Sequence, residues 1–380
     1  MKNIIYLDYA AATPLDPLVL KAMEPYFNER FYNPSAVYLA AGGVQKDLET
    51  ARSTIAGALG SKPAEIIFTA GGTEANNLAV RGVMELFPDA NMVLSAIEHE
   101  SVIGPSQLYK NKLAVVGSDG IVDIPKLLGS VDDQTVLVSV MYCNNEVGSI
   151  QPIHKIATVL KEIKKNRLLK GNKLPLYFHS DAAQAGNYLD MHISRLGVDL
   201  LTVNGGKLYG PKQSGVLFIK SGTHLQPQIL GGGQEQGVRS GTENVAGNIG
   251  LARALSIAQE RHLAESQRLG RLQTMFINSL KEKIPNVVIN GSLKNRLANN
   301  VHITLPHQDN ERVLMLLDEA GILAAAGSAC SASSEEPSHV LQAMGIAEAD
   351  ARASIRFTMG RATNQASLQR VVEVLSSLPI

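Results

Sequence analysis

The chain has no tryptophan, only two cysteines and 5% aromatic residues among its 380 positions. Cys143 and Cys330 stand far apart, with neither CxxC nor CxxH spacing, which argues against a disulfide scaffold and against a zinc cluster; no metal is expected, and reduced thiols are the default. Charge of one sign is also lacking. Lys+Arg and Asp+Glu balance at 35 each, so no basic excess is present to hold nucleic acid or an anionic membrane. The densest basic run, Lys161 to Lys173, reads as a solvated helix end and loop. Long apolar runs are missing too: Thr135 to Cys143 and Ile322 to Ala326 fall far short of the ~20 residues a membrane helix needs. The N-terminus, MKNIIYLDYAAATPL, meets Asp8 after one lysine and a broken apolar stretch, which is not a signal-peptide pattern. Together these absences predict a soluble, cytoplasmic protein with no membrane or direct nucleic-acid partner.

What is present predicts a sizeable core. Apolar residues make up 45% and charged residues 18% of the chain, and this length favours two domains. Short apolar, β-branched segments recur at Ile66 to Thr69, Met92 to Ala96, Thr135 to Tyr142, Pro175 to His179 and Leu200 to Val203, each followed by loop and then helical pattern. Runs apolar on both faces suit strands in a parallel sheet covered by helices, so this region is expected to be α/β. Ser214 to Lys220 adds a further strand. Asn248 to Leu280, free of proline and helically periodic, predicts a long helix bridging two domains. Beyond it, strands at Val287 to Asn290, Asn300 to Leu305 and Ser354 to Thr358, with helices at Glu311 to Ala320 and Ser367 to Leu378, predict a smaller α+β domain. The expected division is 15–255 for the large domain, with 1–14 and 256–380 for the small one; the first fifteen residues or so are compatible with either.

In open parallel sheets ligands gather beyond the carboxyl ends of the strands. The residues there are unusually polar: Gly71-Gly72-Thr73, Glu98-His99, Asn144-Asn145-Glu146, Asp181 to Gln184, and Asn204-Gly205-Gly206-Lys207. Gly72 and Thr73 open a predicted helix whose free N–H groups and dipole suit a phosphate, although a threonine N-cap would look the same. Lys207 follows two glycines, where a partly desolvated amine can attack an aldehyde to give an imine; alone, it also reads as a lysine reaching for water. Asp181 favours the first alternative, because a pyridine-ring cofactor works as an electron sink only when a carboxylate keeps its ring nitrogen protonated. Gln184 could reach a ring hydroxyl, and His99 could stack on the ring or move protons. Cys330, in AAAGSACSASSEEPSHV, is flanked by small polar residues that predict an exposed loop and a reactive thiol, whereas Cys143 ends an apolar strand and reads as structural. The fork of Arg356 suits a carboxylate, or else an ordinary ion pair.

With these pieces in place, the chain resembles the cysteine desulfurases of the class V aminotransferase family, which are fold-type I pyridoxal-phosphate enzymes. The matching segments run nearly end to end: LDYAAATP, NPSAVYLAAG, GGTEANN, EHESV, NNEVG, SDAAQ, KLYGP, GGGQEQGVRSGT, GSACSAS and SIRFTMGR. The resemblance implies a mostly parallel seven-stranded sheet in the large domain. It implies pyridoxal 5'-phosphate held by Lys207 as a Schiff base, with Asp181 at the pyridinium nitrogen, His99 stacked on the ring, and Gln184 and Asn145 near the ring hydroxyl or substrate. Gly72, Thr73 and the Asn204 to Gly206 turn would hold the phosphate, completed by Thr242 from a partner subunit in a homodimer. Arg356 would receive the carboxylate of L-cysteine. Cys330 would take its sulfur as a persulfide and pass it to an acceptor such as an iron–sulfur scaffold or a tRNA-modifying protein, with a contact to the cluster conceivable through Cys330 itself. Four positions depart from the family pattern: Gly206 for histidine, Asn204 for serine, Tyr38 for histidine and Gln213 for glycine. They predict a cofactor held differently, and less tightly, than in typical members. A selenocysteine lyase, another class V lyase or transaminase, and a non-catalytic paralogue remain alternatives.

Overall fold

The computed structural model describes residues 4–327 and 337–377. In chain order its strands are β1 (Ile5–Tyr6), β2 (Ile66–Thr69), β3 (Asn91–Ser95), β4 (Lys110–Ala114), β5 (Thr135–Ser139), β6 (Tyr177–Asp181), β7 (Leu200–Asn204), β8 (Gly215–Ile219), β9 (Val288–Ile289), β10 (Asn300–Thr304), β11 (Ile322–Leu323) and β12 (Ser354–Thr358). The central sheet has seven strands in the order β2-β8-β7-β6-β5-β3-β4. All run parallel except β8, which is antiparallel to both neighbours. The reversal has a local cause: only ten residues separate the end of β7 from the start of β8, too few for a crossover helix, so the chain turns straight back.

Strand interiors follow the apolar pattern, since every residue of β2, β3 and β5 is buried. The sequence pattern missed β4, whose KNKLA is exposed except at Ala114; an edge strand is expected to be short and lysine-rich, and so lacks the apolar signature of its neighbours. The expected strand Thr135 to Tyr142 stops at Ser139, and the strand expected at Pro175 to His179 extends to Asp181, placing that carboxylate at its last position. The basic run is not wholly solvated: Arg167 is 4% exposed and donates from Nη1 to the Thr135 carbonyl at 2.8 Å, pinning the helix Ile153–Leu169 beneath β5.

The long helix is continuous over Val245–Lys283, capped by Asn244 accepting from the Gly247 N–H. Its first half packs on the helix Leu39–Leu59, while Phe276 lies edge-on to Phe357 of β12, at 5.6 Å between centroids. β12-β10-β9 form a second sheet, antiparallel throughout. The N-terminal segment joins this C-terminal part: β1 pairs parallel with β11, and Ala10 N–H donates to Thr358 Oγ1 at 2.9 Å. No helix among the described residues is long and apolar enough to cross a membrane, and no group of three or more His, Cys, Asp or Glu there is placed to hold a metal ion.

Candidate active site

A cavity opens at the carboxyl ends of the parallel strands, where open α/β sheets gather their ligands. Gly72, Thr73, His99, Asn145, Asp181, Gln184, Asn204, Lys207 and Arg356 all line it. Gly206 and Thr242 do not; Thr242 is exposed on the loop after Ser240. Cys330 lies outside the described residues.

One wall is built around Lys207. Asn204 accepts from the Gly206 N–H at 3.1 Å, closing a single 3₁₀ turn over Gly205–Lys207. Thr13 N–H and hydroxyl donate to the Gly206 carbonyl, and Asn187 Nδ2 donates to the Lys207 carbonyl at 2.7 Å. The amine is thus carried on a clamped backbone and donates to the Ala11 carbonyl at 2.5 Å. Gln184 Nε2 donates to the adjacent Ala10 carbonyl at 3.0 Å. The N-terminal segment, which the sequence left unplaced, therefore forms part of the site.

Asp181 is 5% exposed. Its Oδ1 accepts from the Ala183 N–H at 2.9 Å and its Oδ2 from Asn76 Nδ2 at 2.7 Å. The same Asn76 nitrogen donates to Ser101 Oγ at 2.8 Å, and Ser101 Oγ lies 2.8 Å from His99 Nδ1. Neither Asn76 nor Ser101 stood out in the sequence. Their signal was present only as polar residues at positions that the helices Gly72–Met84 and Glu100–Ser106 turn toward the sheet edge.

Opposite, the helix Gly72–Met84 presents its first-turn N–H groups beside Thr73. Gly71 precedes it at φ 128°, a conformation that disfavours any side chain. A Cβ on Gly72 would come within 3.3 Å of Asn204 Nδ2, so that amide sits at the helix start. Arg356 is 1% exposed. Its Nη2 donates to Asp8 Oδ1 at 2.7 Å and its Nη1 to the Asn145 carbonyl at 3.1 Å, leaving Nε without a partner among the described residues.

Two buried groups lie just behind the cavity. Glu98, fully buried, accepts from Ser95 Oγ at 2.7 Å and the Met141 N–H at 2.6 Å. Burial pushes its carboxyl up to about 8, with the Asp181 charge adding to the rise. The Cys143 thiol, at the cavity wall, is also raised by burial first and by Asp181 second, which disfavours the thiolate a nucleophile requires. Between its ordinary 4.5 and about 8, folded Glu98 keeps a proton that the unfolded chain has released, so its contribution to stability, complete below 4.5, is lost as pH rises through about 8. Glu98→Gln is therefore expected to flatten the decline of Tm across that window, which thermal melts of both proteins would show.

The class-V aminotransferase family model matches residues 5–371. The chain belongs to this family. A class-V relative from Dictyoglomus turgidum, named cysteine desulfurase IscS, is 39% identical over 386 residues, covering 100% of this chain and 95% of the relative. A solved structure described as a NifS-like protein superposes with a TM-score of 0.88 at 30% identity, covering 99% of this chain and 100% of that one. Another, described as SspA in complex with cysteine, has a TM-score of 0.80 at 32% identity, with 93% and 98% covered. Class-V enzymes of this kind depend on pyridoxal phosphate, and the cavity's donor set fits that group: an amine, a buried carboxylate already hydrogen-bonded for an acceptor role, and a helix N-terminus with a hydroxyl and an amide.

Proposed function

We propose that this chain is a cysteine desulfurase, converting L-cysteine to L-alanine and moving the sulfur to Cys330. The observation that carries it is the convergence of Lys207, Asp181, His99, Gln184, Thr73 and Arg356 on one cavity; the full-length relatives named cysteine desulfurase support the choice of substrate. Pyridoxal phosphate, when bound, supplies the electron sink that stabilises charge at the substrate carbons. Lys207 would provide the covalent anchor for that group and a base for the Cα proton. Asp181 would hold a proton on the ring nitrogen, while Thr73, Asn204 and the N-terminus of the helix Gly72–Met84 would take the phosphate. Gln184 and Asn145 orient the ring hydroxyl and substrate, and Arg356 takes the substrate carboxylate.

The Cys330 thiolate then attacks the substrate sulfur. An S–S bond forms and the Cβ–S bond breaks; its electron pair stays on Cβ, which takes up a proton, so that one cysteine and one enzyme thiol become alanine and Cys330–S–SH with no outside oxidant. This thiol must be reduced to act, which accords with a cytoplasmic protein. We further infer that 15–255 serve as the cofactor-binding domain, that 1–14 and 256–380 form the domain bearing Cys330, and that the persulfide supplies an iron–sulfur scaffold or tRNA thiolation. A homodimer is supported by Thr242, exposed and away from its own cavity, and by exposed Phe31, Val37, Leu39 and Leu230.

Purified protein incubated with pyridoxal phosphate and L-cysteine is expected to yield equal alanine and reductant-released sulfide, both lost in Cys330→Ala. Undiminished activity in Cys330→Ala would instead identify another lyase or a transaminase, and no cofactor uptake at all a scaffold. Arg356→Lys, which cannot keep both the Asp8 and Asn145 contacts and also fork onto a carboxylate, is expected to raise KM for cysteine by roughly 10- to 100-fold, the equivalent of one charged hydrogen bond. Steady-state kinetics would check this.

A further inference from the structure

The four residues Asp181, Asn76, Ser101 and His99 form one hydrogen-bonded chain, and its directions follow from its carboxylate end. Asp181 Oδ1 already accepts from the Ala183 N–H, and a carboxylate accepts at both oxygens. The Asn76 amide, 1% exposed and 2.7 Å from Oδ2, must therefore turn Nδ2 toward it; the flipped amide would set oxygen against oxygen. The second N–H of that nitrogen reaches Ser101 Oγ at 2.8 Å, which makes the hydroxyl oxygen an acceptor there. The hydroxyl proton is then left for His99 Nδ1, 2.8 Å away. Nδ1 also accepts the Ser101 backbone N–H at 3.1 Å, closing the cap of the helix Glu100–Ser106. Two donors meet at Nδ1, so the neutral ring carries its proton on Nε2. Nε2 has no hydrogen-bond partner among the described residues, and the ring lines the cavity.

We infer that Asn76 and Ser101 are positioning residues that set the tautomer of His99, so that its Nε2 offers an N–H donor, and not a base, to the sulfur of bound cysteine. The part concerning cysteine rests on the desulfurase reading; the tautomer itself does not. A donor at that place stabilises negative charge on the substrate sulfur and leaves proton abstraction to other groups, Lys207 foremost.

The test reads the ring directly. In protein labelled with ¹⁵N-histidine, long-range ¹H–¹⁵N spectra separate protonated from bare ring nitrogens, and His99→Asn assigns the signal among the nine histidines. With and without pyridoxal phosphate, the wild type is expected to show His99 with a bare Nδ1 and a protonated Nε2. Asn76→Asp keeps the shape but sets an oxygen against Asp181 Oδ2 at 2.7 Å, so the two carboxyl groups share one proton along that contact and the same oxygen becomes an acceptor toward Ser101; Ser101 Oγ should then donate to residue 76 and accept from the ring, drawing a proton onto Nδ1. In a Ser101→Ala background that response should vanish, because the link is gone, and Ser101→Thr should restore it. In steady state, Ser101→Ala is expected to lower kcat about tenfold, the worth of one hydrogen bond, with a smaller change in KM. A protonated Nδ1 in the wild type, or an Asn76→Asp response that survives Ser101→Ala, overturns the inference. The expected tautomer in a protein that yields no alanine would leave it standing and remove the desulfurase reading alone.

Discussion

Lys207→Ala is expected to abolish both the visible absorbance that develops when the protein takes up pyridoxal phosphate and the production of alanine from cysteine. In the proposed function the amine serves twice, as covalent anchor and as base, and loss of a positioned acid–base group alone costs roughly 10²–10⁴-fold in rate. The backbone that carries it is held by Asn204, Thr13 and Asn187, contacts made by main-chain atoms and neighbouring side chains that alanine leaves intact. The variant should therefore fold with a Tm close to that of the wild type, and an absorbance titration, a thermal melt and an alanine assay would together separate a chemical loss from a structural one. An alanine variant that retained turnover would place the reacting amine elsewhere.

Asp181→Asn is the second large effect. The site offers this side chain two donors, Asn76 Nδ2 and the Ala183 N–H. An amide has a single acceptor oxygen, so one donor would face an NH₂ group, and the charge proposed to keep a proton on the cofactor's ring nitrogen would be gone. Removing one partner of a buried, hydrogen-bonded charge pair costs about 2–5 kcal/mol, so kcat is expected to fall by roughly 30-fold to several thousand-fold. Steady-state assays at saturating cofactor would measure it. A modest stability loss, of about 1–3 kcal/mol for the unsatisfied donor, should accompany it in denaturant unfolding. Because Asn76 links this carboxylate to His99 through Ser101, the same substitution should also disturb the histidine tautomer.

Much of this was legible along the chain because local rules governed it. The buried strands β2, β3 and β5 announced themselves by apolar runs, and each of the polar segments that follow the strands does send at least one residue to the same sheet-edge cavity. β4 was not legible, since an exposed edge strand carries no such run. Asn76 and Ser101 were not legible either: each is an ordinary helix residue by type, and only the packing of the helix Gly72–Met84 against β6 and of the helix Glu100–Ser106 against it brings them between Asp181 and His99. Arg167 shows the same limit in reverse, as a residue in a basic stretch whose guanidinium turns inward to cap carbonyls around β5.

The sequence by itself determined the fold class and which residue types stand beyond which strands, because periodicity and turn chemistry act over a few neighbouring residues, while the family followed from the resemblance of its motifs. Tertiary structure alone decided how those groups are joined. The N-terminal segment hydrogen-bonds to β12 on one side and offers the Ala11 carbonyl to Lys207 on the other, and Arg356 meets Asp8 across 348 positions of chain. Such contacts are invisible to any local pattern: each requires two segments distant in sequence to be held at hydrogen-bond distance, and that distance is set by the burial of the whole core beneath them.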